Sequence, residues 1–331
     1  MPAKLYSPLA NGSITSGIAP SLSTHHTKDT DFELASWDGR SSIASLNNIH
    51  TESEPPAYSD GLRFTPTVQL QIQTLGKAAL SFPIPTRPDP IPVYAVGSDG
   101  TVLDSQTPVY FSLRRSRGAS SCVLVAGDDA EQKHLSTTSY RWGPGKPPRV
   151  SLLPPSSGPP VQGGARSSRS SADEEEEDVE AVAWDSFELT SRGFTTRAIR
   201  FRTRLGTFEW RYASRKERKA AGIDSLLVLD RVVRVFNSAT APNAKDKEEE
   251  IRTPVAQFLR NAELRTPGSR GSSAGNGGRL RVDLSLWQDG KEDAEMVRLM
   301  AVTTCIGMLK KEVDRRRMQQ MAIMAAAAGA A

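Results

Sequence analysis

The chain has few of the residues on which covalent and metal chemistry depend. Its 331 residues include two cysteines, Cys122 and Cys305, and four histidines, three of which fall within the first 50 residues. Two cysteines exclude a disulfide scaffold and a cysteine-rich zinc module. The scarcity of histidine leaves little room for histidine-based catalysis. We therefore expect no cofactor and no metal site.

Long apolar runs are also missing. The longest, residues 294–309, is shorter than the roughly 20 residues that a bilayer span needs, and it contains Glu295 and Arg298. No apolar run of roughly 7–15 residues follows Lys4, so a secretory signal is not expected. We predict a cytoplasmic protein, with peripheral attachment at the inner face of a membrane left open.

Signatures of enzymes and of nucleic-acid binding are scarce. The segment 143–146 (GPGK) lacks the spacing of a phosphate-binding loop and the hydroxyl residue after lysine, and no GxSxG motif occurs. Zinc-ligand spacing, aromatic stacking motifs and a basic helix-turn-helix are absent from the sequence, so nucleic acid is not expected as a partner. We predict a non-enzymatic protein. A hydrolase or a lipid carrier is the alternative, and it would need a polar constellation in a pocket.

Biased composition divides the chain into segments. The sequence holds 25 glycines and 22 prolines with 37% apolar residues, a mixture typical of a folded core that carries disordered segments. We predict a disordered leader over 1–63, a folded domain over 64–315 and an Ala-rich tail over 316–331. Three disordered inserts are predicted within the domain, at 154–178, 239–250 and 266–278.

Short alternating segments between these inserts predict strands. In Thr67–Leu75, for example, Val68, Leu70 and Ile72 share one face and glutamines share the other. We count about ten to twelve such strands, separated by Gly, Asp and Pro turn signals. This pattern is typical of an antiparallel sandwich or barrel.

One helix follows the strands. From Met296 to Leu309 the apolar residues cover nearly the whole helical circumference, and a helix of that kind requires burial on all sides. We therefore predict a mainly β fold, an approximately 12-stranded closed antiparallel barrel around a central C-terminal helix. A helix packed on one sheet face or in a dimer seam is the alternative.

This order of elements resembles the tubby-like superfamily, which includes tubby domains, plant LURP-one-related proteins and phospholipid scramblases. Residues 108–115 (PVYFSLRR) and 122–128 (CVLVAGD) are similar to the hairpin of the LURP-one-related branch, and 293–309 are similar to its closing helix. The resemblance covers residues 64–312 and implies that basic residues on the barrel bind anionic phospholipid, as phosphoinositide headgroups. The insert at 154–178 and the segment at 266–278 depart from the family. So does the lack of a scramblase-type anchor and cysteine cluster, and lipid translocation is therefore not implied.

A short motif in the leader indicates a protein partner. Pro55, Pro56 and Tyr58 (PPAY) match the PPxY pattern that WW domains bind, because two prolines preset a polyproline II helix and the tyrosine ring fills a pocket. Such WW domains are common in HECT-type ubiquitin ligases, so a ligase of this type is an expected partner. A chance Pro-rich turn is one alternative. Another is an arrestin-like ubiquitin-ligase adaptor, which would be a β-sandwich.

A basic segment gives the candidate anion-binding residues. Between Phe187 and Lys219 there are ten Lys or Arg residues and three Glu. Arg200, Arg202 and Arg204 alternate with partly apolar residues, which places three guanidinium groups on one face of a strand. The candidate lipid-binding residues are Arg197, Arg200, Arg202, Arg204, Arg211, Arg215, Lys216, Arg218 and Lys219. The alternative is a solvated sheet face that folds against the acidic insert at 173–180.

Overall fold

The computed structural model describes residues 64–84, 90–104, 107–114, 121–129, 133–141, 146–153, 183–192, 196–237 and 247–329. The predicted leader, with Pro55, Pro56 and Tyr58, lies outside these ranges, and so does the predicted insert at 154–178.

Thirteen strands, one short helix and one long helix make up the described chain. The strands are β1 (Val68–Ile72), β2 (Ile91–Ala95), β3 (Tyr110–Leu113), β4 (Ser121–Ala126), β5 (His134–Ser139), β6 (Arg149–Leu152), β7 (Asp185–Glu188), β8 (Thr190–Ser191), β9 (Ile199–Thr203), β10 (Gly206–Tyr212), β11 (Ser225–Asn237), β12 (Lys247–Arg260) and β13 (Gly278–Val282). The helices are α1 (Arg215–Ala221) and α2 (Lys291–Gly329), with a 3-10 turn at Ser285–Trp287 before α2.

All the strands belong to one antiparallel sheet. Its order is β7-β6-β5-β4-β3-β2-β1-β13-β12-β11-β10-β9-β8. The last strand, β13, therefore lies between β1 and β12 and pairs with both. The hairpin predicted around residues 108–128 is present, since Tyr110 pairs with Ala126 and Leu113 pairs with Val123. In β9 the side chains of Ile199, Phe201 and Thr203 are buried, as the alternation predicted.

The chain itself closes the sheet into a barrel. β7 and β8 are the two outermost strands of the hydrogen-bonded order, and only Leu189 separates them in the sequence. Across this seam the backbone N–H of Arg204 donates to Asp185 Oδ2 at 2.7 Å, and its guanidinium donates to the carbonyl of Trp184. Phe187 and Phe201 stack beneath these contacts with ring centroids 5.0 Å apart. The result is a nearly closed 13-stranded barrel.

The interior of the barrel is filled by the first half of α2. From Met296 to Leu309 every residue except Arg298 is buried, and the apolar side chains belong to one core cluster with inward side chains of the strands. The guanidinium of Arg298 lies over the ring of Tyr110 in β3. These contacts confirm the predicted fold class, a barrel around a central C-terminal helix.

Two threonines join the helix to the barrel wall. Thr303 Oγ1 and Ser136 Oγ of β5 lie 2.8 Å apart, and Trp210 Nε1 of β10 donates to Thr304 Oγ1 at 2.9 Å. Each buried hydroxyl therefore has a partner, which removes the cost of burying it unpaired. Each bond forms only at one rotation of the helix about its axis and at one position along the barrel. The two bonds together therefore fix how the helix sits in the barrel.

A buried ion pair holds the helix where it leaves the barrel. Both guanidinium Nη atoms of Arg260, at the end of β12, contact the carboxylate of Glu312 at 2.7 and 2.8 Å. The hydroxyl of Tyr212 and the N–H of Gly275 also donate to this carboxylate, at 2.6 and 2.9 Å. Burial alone would raise the pKa of Glu312, but the hydrogen bonds and charge of Arg260, with those two donors, outweigh it and lower that pKa.

Strand β12 was not predicted from the sequence. Residues 247–250, predicted as part of a disordered insert, are the first residues of this strand, and 251–260 continue it. A proline is disfavoured inside a strand, but Pro254 pairs with Asp230 at the register shift between β11 and β12, and a bulge tolerates a proline. The acidic residues before it are accommodated because Glu250 pairs with Arg200 at 2.7 Å.

The insert predicted at 266–278 was also wrong. This segment is an ordered loop in which the N–H of Gly277 donates to the carbonyl of Thr74. Glycine is needed in this loop where its backbone lies close to neighbouring atoms. A Cβ on Gly275, whose φ is +69°, would lie 2.5 Å from Val313 Cγ2, and one on Gly277 would lie 2.3 Å from the carbonyl oxygen of Ile72.

The tail predicted at 316–331 is helical as far as Gly329, because α2 continues without a break. At 1.5 Å per residue, its 39 residues span about 58 Å, of which about half lies beyond Leu309. Within the described residues, neither helix has the length and apolar character that crossing a bilayer requires.

Substitution of one buried methionine tests whether the helix forms the core. Met300 is 1% exposed and Met324, on the same helix, is 50% exposed. We expect Met300→Ala to lower the free energy of unfolding by about 2–5 kcal/mol, because it leaves a cavity in the barrel. Met324→Ala is the matched control and should change it by less than about 0.5 kcal/mol in urea denaturation. Equal effects would contradict a helix-filled barrel.

The ion pair of Glu312 predicts a dependence of stability on pH. A carboxylate whose pKa is lower in the folded state stabilises the fold above its ordinary pKa, and this contribution is lost as pH falls. Glu312→Gln should cost about 3–5 kcal/mol near neutral pH, because Arg260 keeps a buried charge without its partner. The difference from wild type should shrink in denaturation curves at about pH 3.5.

Asp314 provides the control for that measurement. It lies two residues along α2, is half exposed, and pairs with Lys310 at 2.7 Å. Asp314→Asn should cost at most about 1 kcal/mol near neutral pH. A loss from Glu312→Gln that stays constant across the pH range would show that the carboxylate charge is not the stabilising element.

Candidate functional site

The barrel has two ends, which differ in what they present. At the lower end α2 begins, next to the hairpin between β9 and β10, where the Arg231 guanidinium lies over the ring of Trp287. At the upper end α2 leaves the barrel beside Tyr212 and Arg260. The predicted basic residues divide between the barrel wall and these two ends.

On the wall, acidic residues neutralise the predicted arginines. Glu209 of β10 and Asp230 of β11 face outward yet are buried, because arginines from neighbouring strands cover them. Arg200 lies 2.7 Å from Glu250 and 3.5 Å from Glu209, and Arg211 lies 2.7 Å from Asp230. The remaining members of this ion-pair ladder are Arg192, Glu217, Arg234 and Arg252.

The pKa shifts show how closely these charges are coupled. Burial alone would raise the pKa of Glu250, but Arg200 and Arg252 lower it overall. Burial raises the pKa of Asp230 in spite of Arg211 and Arg252 beside it. Burial would lower the pKa of Arg252, yet its hydrogen bonds to Glu209 and Glu250 raise it. Arg200 and Arg211 are therefore committed to internal partners and have little capacity for an outside anion.

Two predicted residues lie towards the lower end. Arg204 is part of the barrel seam, and its guanidinium also lies over the Trp184 ring, 4.8 Å from the centroid. Arg202 is exposed and lines an open surface groove of about 740 Å³ beside the seam. Glu188 lines the same groove, and Arg200 and Arg234, also in its wall, both pair with Glu250. Of the groove's cations that the structure describes, Arg202 alone forms no ion pair with another described residue.

The other predicted residues lie at the upper end. The guanidinium of Arg197 is 5.7 Å from the centroid of the Tyr212 ring, and α1 begins three residues after Tyr212. A capping box starts this helix, since Ser214 Oγ accepts from the N–H of Glu217 and the Glu217 carboxylate accepts from the N–H of Ser214. Gly222, in the left-handed conformation, ends it.

Most of the cations of α1 are uncommitted. Arg218 donates to the carbonyl of Asp224. Arg215, Lys216 and Lys219 are exposed, and none of the three forms an ion pair with a residue that the structure describes. About 20 Å of β10 separates them from the hairpin of Arg204. The nine predicted residues are thus not one patch but three groups.

The upper end also holds basic residues that the sequence analysis left out. Residues 310–317 (KKEVDRRR) carry five cations and two acids, directly after the buried part of α2. Asp314 pairs with Lys310 and Arg317, and Glu312 pairs with Arg260. Lys311, Arg315 and Arg316 form no ion pair within the described ranges. The run was visible in the sequence, but only the depth of α2 in the barrel places it beside α1.

The arrangement is suited to binding anions electrostatically. Exposed cations of α1 and half-buried cations of α2 both lie at the upper end, and arginine presents a planar fork of donors to phosphate oxygens. Inside the barrel, the wall and helix leave a void of about 10 Å³ near Cys122 and Thr303, which is about the size of one water.

Comparison of the chain with protein-family models, curated proteins and solved structures finds no match in any of the three. The chain is therefore classified by its fold and its surface. The chain is a helix-filled antiparallel β-barrel with a basic upper end.

Proposed function

We propose that the protein is a non-enzymatic interaction module that binds anionic phospholipid at the upper end of its barrel and recruits a WW-domain protein through PPAY. The supporting observation for the lipid ligand is that Arg215, Lys216 and Lys219 are exposed without an acidic partner among the described residues. Cations of this kind bind anionic headgroups because they gain charge partners without losing internal ones.

The resemblance to tubby-like barrels belongs to the same proposal. The helix-filled barrel supports it in architecture, and the basic upper end supports the phospholipid ligand that the resemblance implies. The proposal differs from the sequence-based expectation in location. The binding cations are those of α1 and the adjoining part of α2, and Arg200 and Arg211 belong to the ion-pair ladder of the wall.

The alternatives have less support. An arrestin-like adaptor would be a sandwich of two sheets, whereas the described strands form one sheet. A lipid carrier would require a cavity, but Met296–Leu309 occupy the barrel interior. A cytoplasmic location with reversible membrane attachment fits the proposed role.

Vesicle binding tests the lipid part of the proposal. Each basic residue near an anionic leaflet contributes about 1 kcal/mol, so Arg215→Ala with Lys219→Ala should weaken binding to phosphatidylserine vesicles by roughly 30-fold. Cosedimentation at an ionic strength of about 0.1 M, where the Debye length is about 10 Å, gives the partition coefficient, and added salt should weaken wild-type binding.

The charge-matched control is Arg202→Ala with Lys291→Ala. Both side chains are exposed, have no ion pair within the described residues, and lie towards the lower end. Because about 20 Å exceeds the Debye length at ordinary salt, about 10 Å, this variant should bind nearly as wild type does. Equal losses from both variants would mean that only net charge matters, and the proposed location would be wrong.

The protein partner requires a separate measurement. Tyr58 fills the tyrosine pocket of a WW domain if PPAY is used, so Tyr58→Ala should abolish capture by a WW domain of PPxY specificity. Titration of the full chain with an isolated WW domain gives the affinity. Tyr6→Ala, which alters a leader tyrosine outside the motif, is the control. Unchanged affinity in Tyr58→Ala would remove the ligase from the list of expected partners.

A further inference from the structure

Large apolar side chains are exposed at the upper end, where a loop and a helix end lie side by side. In the loop 78–84, Leu80 is 96% exposed and Phe82 is 73% exposed, and Ile84 is also exposed. On α2, Ile323 is 65% exposed. Other exposed apolar side chains of the same helix end are Met318, Met321 and Met324. Scattered exposed apolar residues are ordinary on a protein surface, but this is a cluster.

Side-chain hydrogen bonds hold the loop in shape and against the helix. The amide nitrogen of Gln320 donates to the carbonyls of Ala78 and Ala79 at 3.1 and 2.9 Å. Lys77 Nζ donates to the carbonyls of Phe82 and Ile84. The guanidinium of Arg317 reaches the carbonyl of Pro83. Five loop carbonyls are thus satisfied within the protein while its apolar side chains face outward.

A loop with bonded carbonyl groups and outward apolar side chains is suited to contact with hydrocarbon. A backbone carbonyl that enters an apolar phase without a hydrogen-bond partner costs several kcal/mol. With the carbonyls of Phe82 and Ile84 bonded to Lys77, their side chains can leave water without exposing those acceptors. The helix end meets the same condition because its backbone bonds are internal.

Basic residues lie between the barrel and the apolar tip, which consists of loop 78–84 and the end of α2. The run 310–317 with its five basic residues lies between the tip and the barrel, and α1 adds Arg215, Lys216 and Lys219 beside the same opening. An anionic bilayer offers the matching sequence of layers, hydrocarbon for the tip and negative headgroups for the cations. A second copy of the chain would instead bring the same positive charge against it.

We propose that loop 78–84 and the end of α2 insert together into the interfacial layer of an anionic membrane, with the cations of α1 and residues 310–317 at the headgroups. This inference rests on the proposed phospholipid binding and adds an apolar, penetrating component to it. The barrel would then stand on the membrane with its upper end down. Interfacial elements of this kind enter about 5–10 Å into the boundary between headgroups and acyl chains.

Two measurements on the full chain test the insertion. First, Ile323→Cys and Leu103→Cys are each labelled with an environment-sensitive fluorophore, and unlabelled vesicles of phosphatidylcholine with phosphatidylserine are added. Leu103 is 68% exposed in the turn after β2, on the side of the lower end. We expect a blue shift, and quenching by brominated acyl chains, only for the label at position 323. Wild type treated with the fluorophore reports any reaction of Cys122 or Cys305.

Second, partitioning is compared between Phe82→Ser with Ile323→Ser and the control Leu103→Ser with Leu286→Ser. Transfer of each inserted side chain out of water is worth enough for about a tenfold change, so the first variant should bind at least tenfold more weakly and the control should bind as wild type. All four residues are exposed, so both variants should fold, as near-ultraviolet circular dichroism can show.

The outcomes separate the two proposals. If wild type binds, the α1 charge variant weakens binding, and neither the label nor the serine variants respond, the insertion is wrong and the phospholipid function stands. If wild type does not bind anionic vesicles, both are wrong. If the serine substitutions instead convert a dimer into a monomer in light scattering, without a change in vesicle binding, the tip is an interface between copies and the insertion is overturned.

Discussion

Burial of one helix on all sides is the constraint on which the rest of the structure depends. Met296–Leu309 present apolar groups around the whole circumference, and only a sheet that curls fully around them removes that surface from water. Each strand places one face towards the helix, and the seam at Asp185–Ser191 nearly closes the barrel. Bonds from Ser136 and Trp210 to the helix then select one rotation among the many that apolar contact alone would permit.

The same alternation that fills the interior determines the charges on the wall. Each strand that points Phe201 or Trp210 inward must point Arg200 or Glu209 outward, so the outer face of β9–β12 becomes a field of facing cations and anions. Their cross-strand pairing neutralises the wall. Several cations outside the sheet also escape this pairing. Among the described residues, Arg215, Lys216 and Lys219 of α1 and Lys311, Arg315 and Arg316 of α2 form no ion pair. These cations lie towards the upper end of the barrel, where the two helices place them.

Much of the fold could be predicted from the sequence, because periodicity is a local signal. The central helix and most strands were predicted from such periodicity. β12 could not be found, since Pro254 and the acidic run before it are tolerated only through a register shift opposite Asp230 and through pairing of Glu250 with Arg200. β5 was missed because its inward-facing residues, Ser136 and Thr138, are polar and give no apolar alternation. A buried hydroxyl group is stable only where it has a hydrogen-bond partner, as Ser136 has in Thr303. For the candidate site, alternation gave the direction of Arg200 correctly. Its neutralisation depends on residues 9 and 50 positions away, which only the tertiary structure brings together.

The continuity of α2 links the core to the proposed membrane contact. A helix without a break has one phase, so the rotation fixed at Thr303 and Thr304 inside the barrel also fixes which side of the helix faces the loop at residue 320. Glu312, held by Arg260, secures that phase at the point where the helix leaves the barrel. Gln320 therefore meets the loop carbonyls, and Met318, Ile323 and Met324 are left outward. The orientation of the helix at the apolar tip is thus set by interactions inside the barrel, and the bonds of Gln320 then hold the loop against that helix.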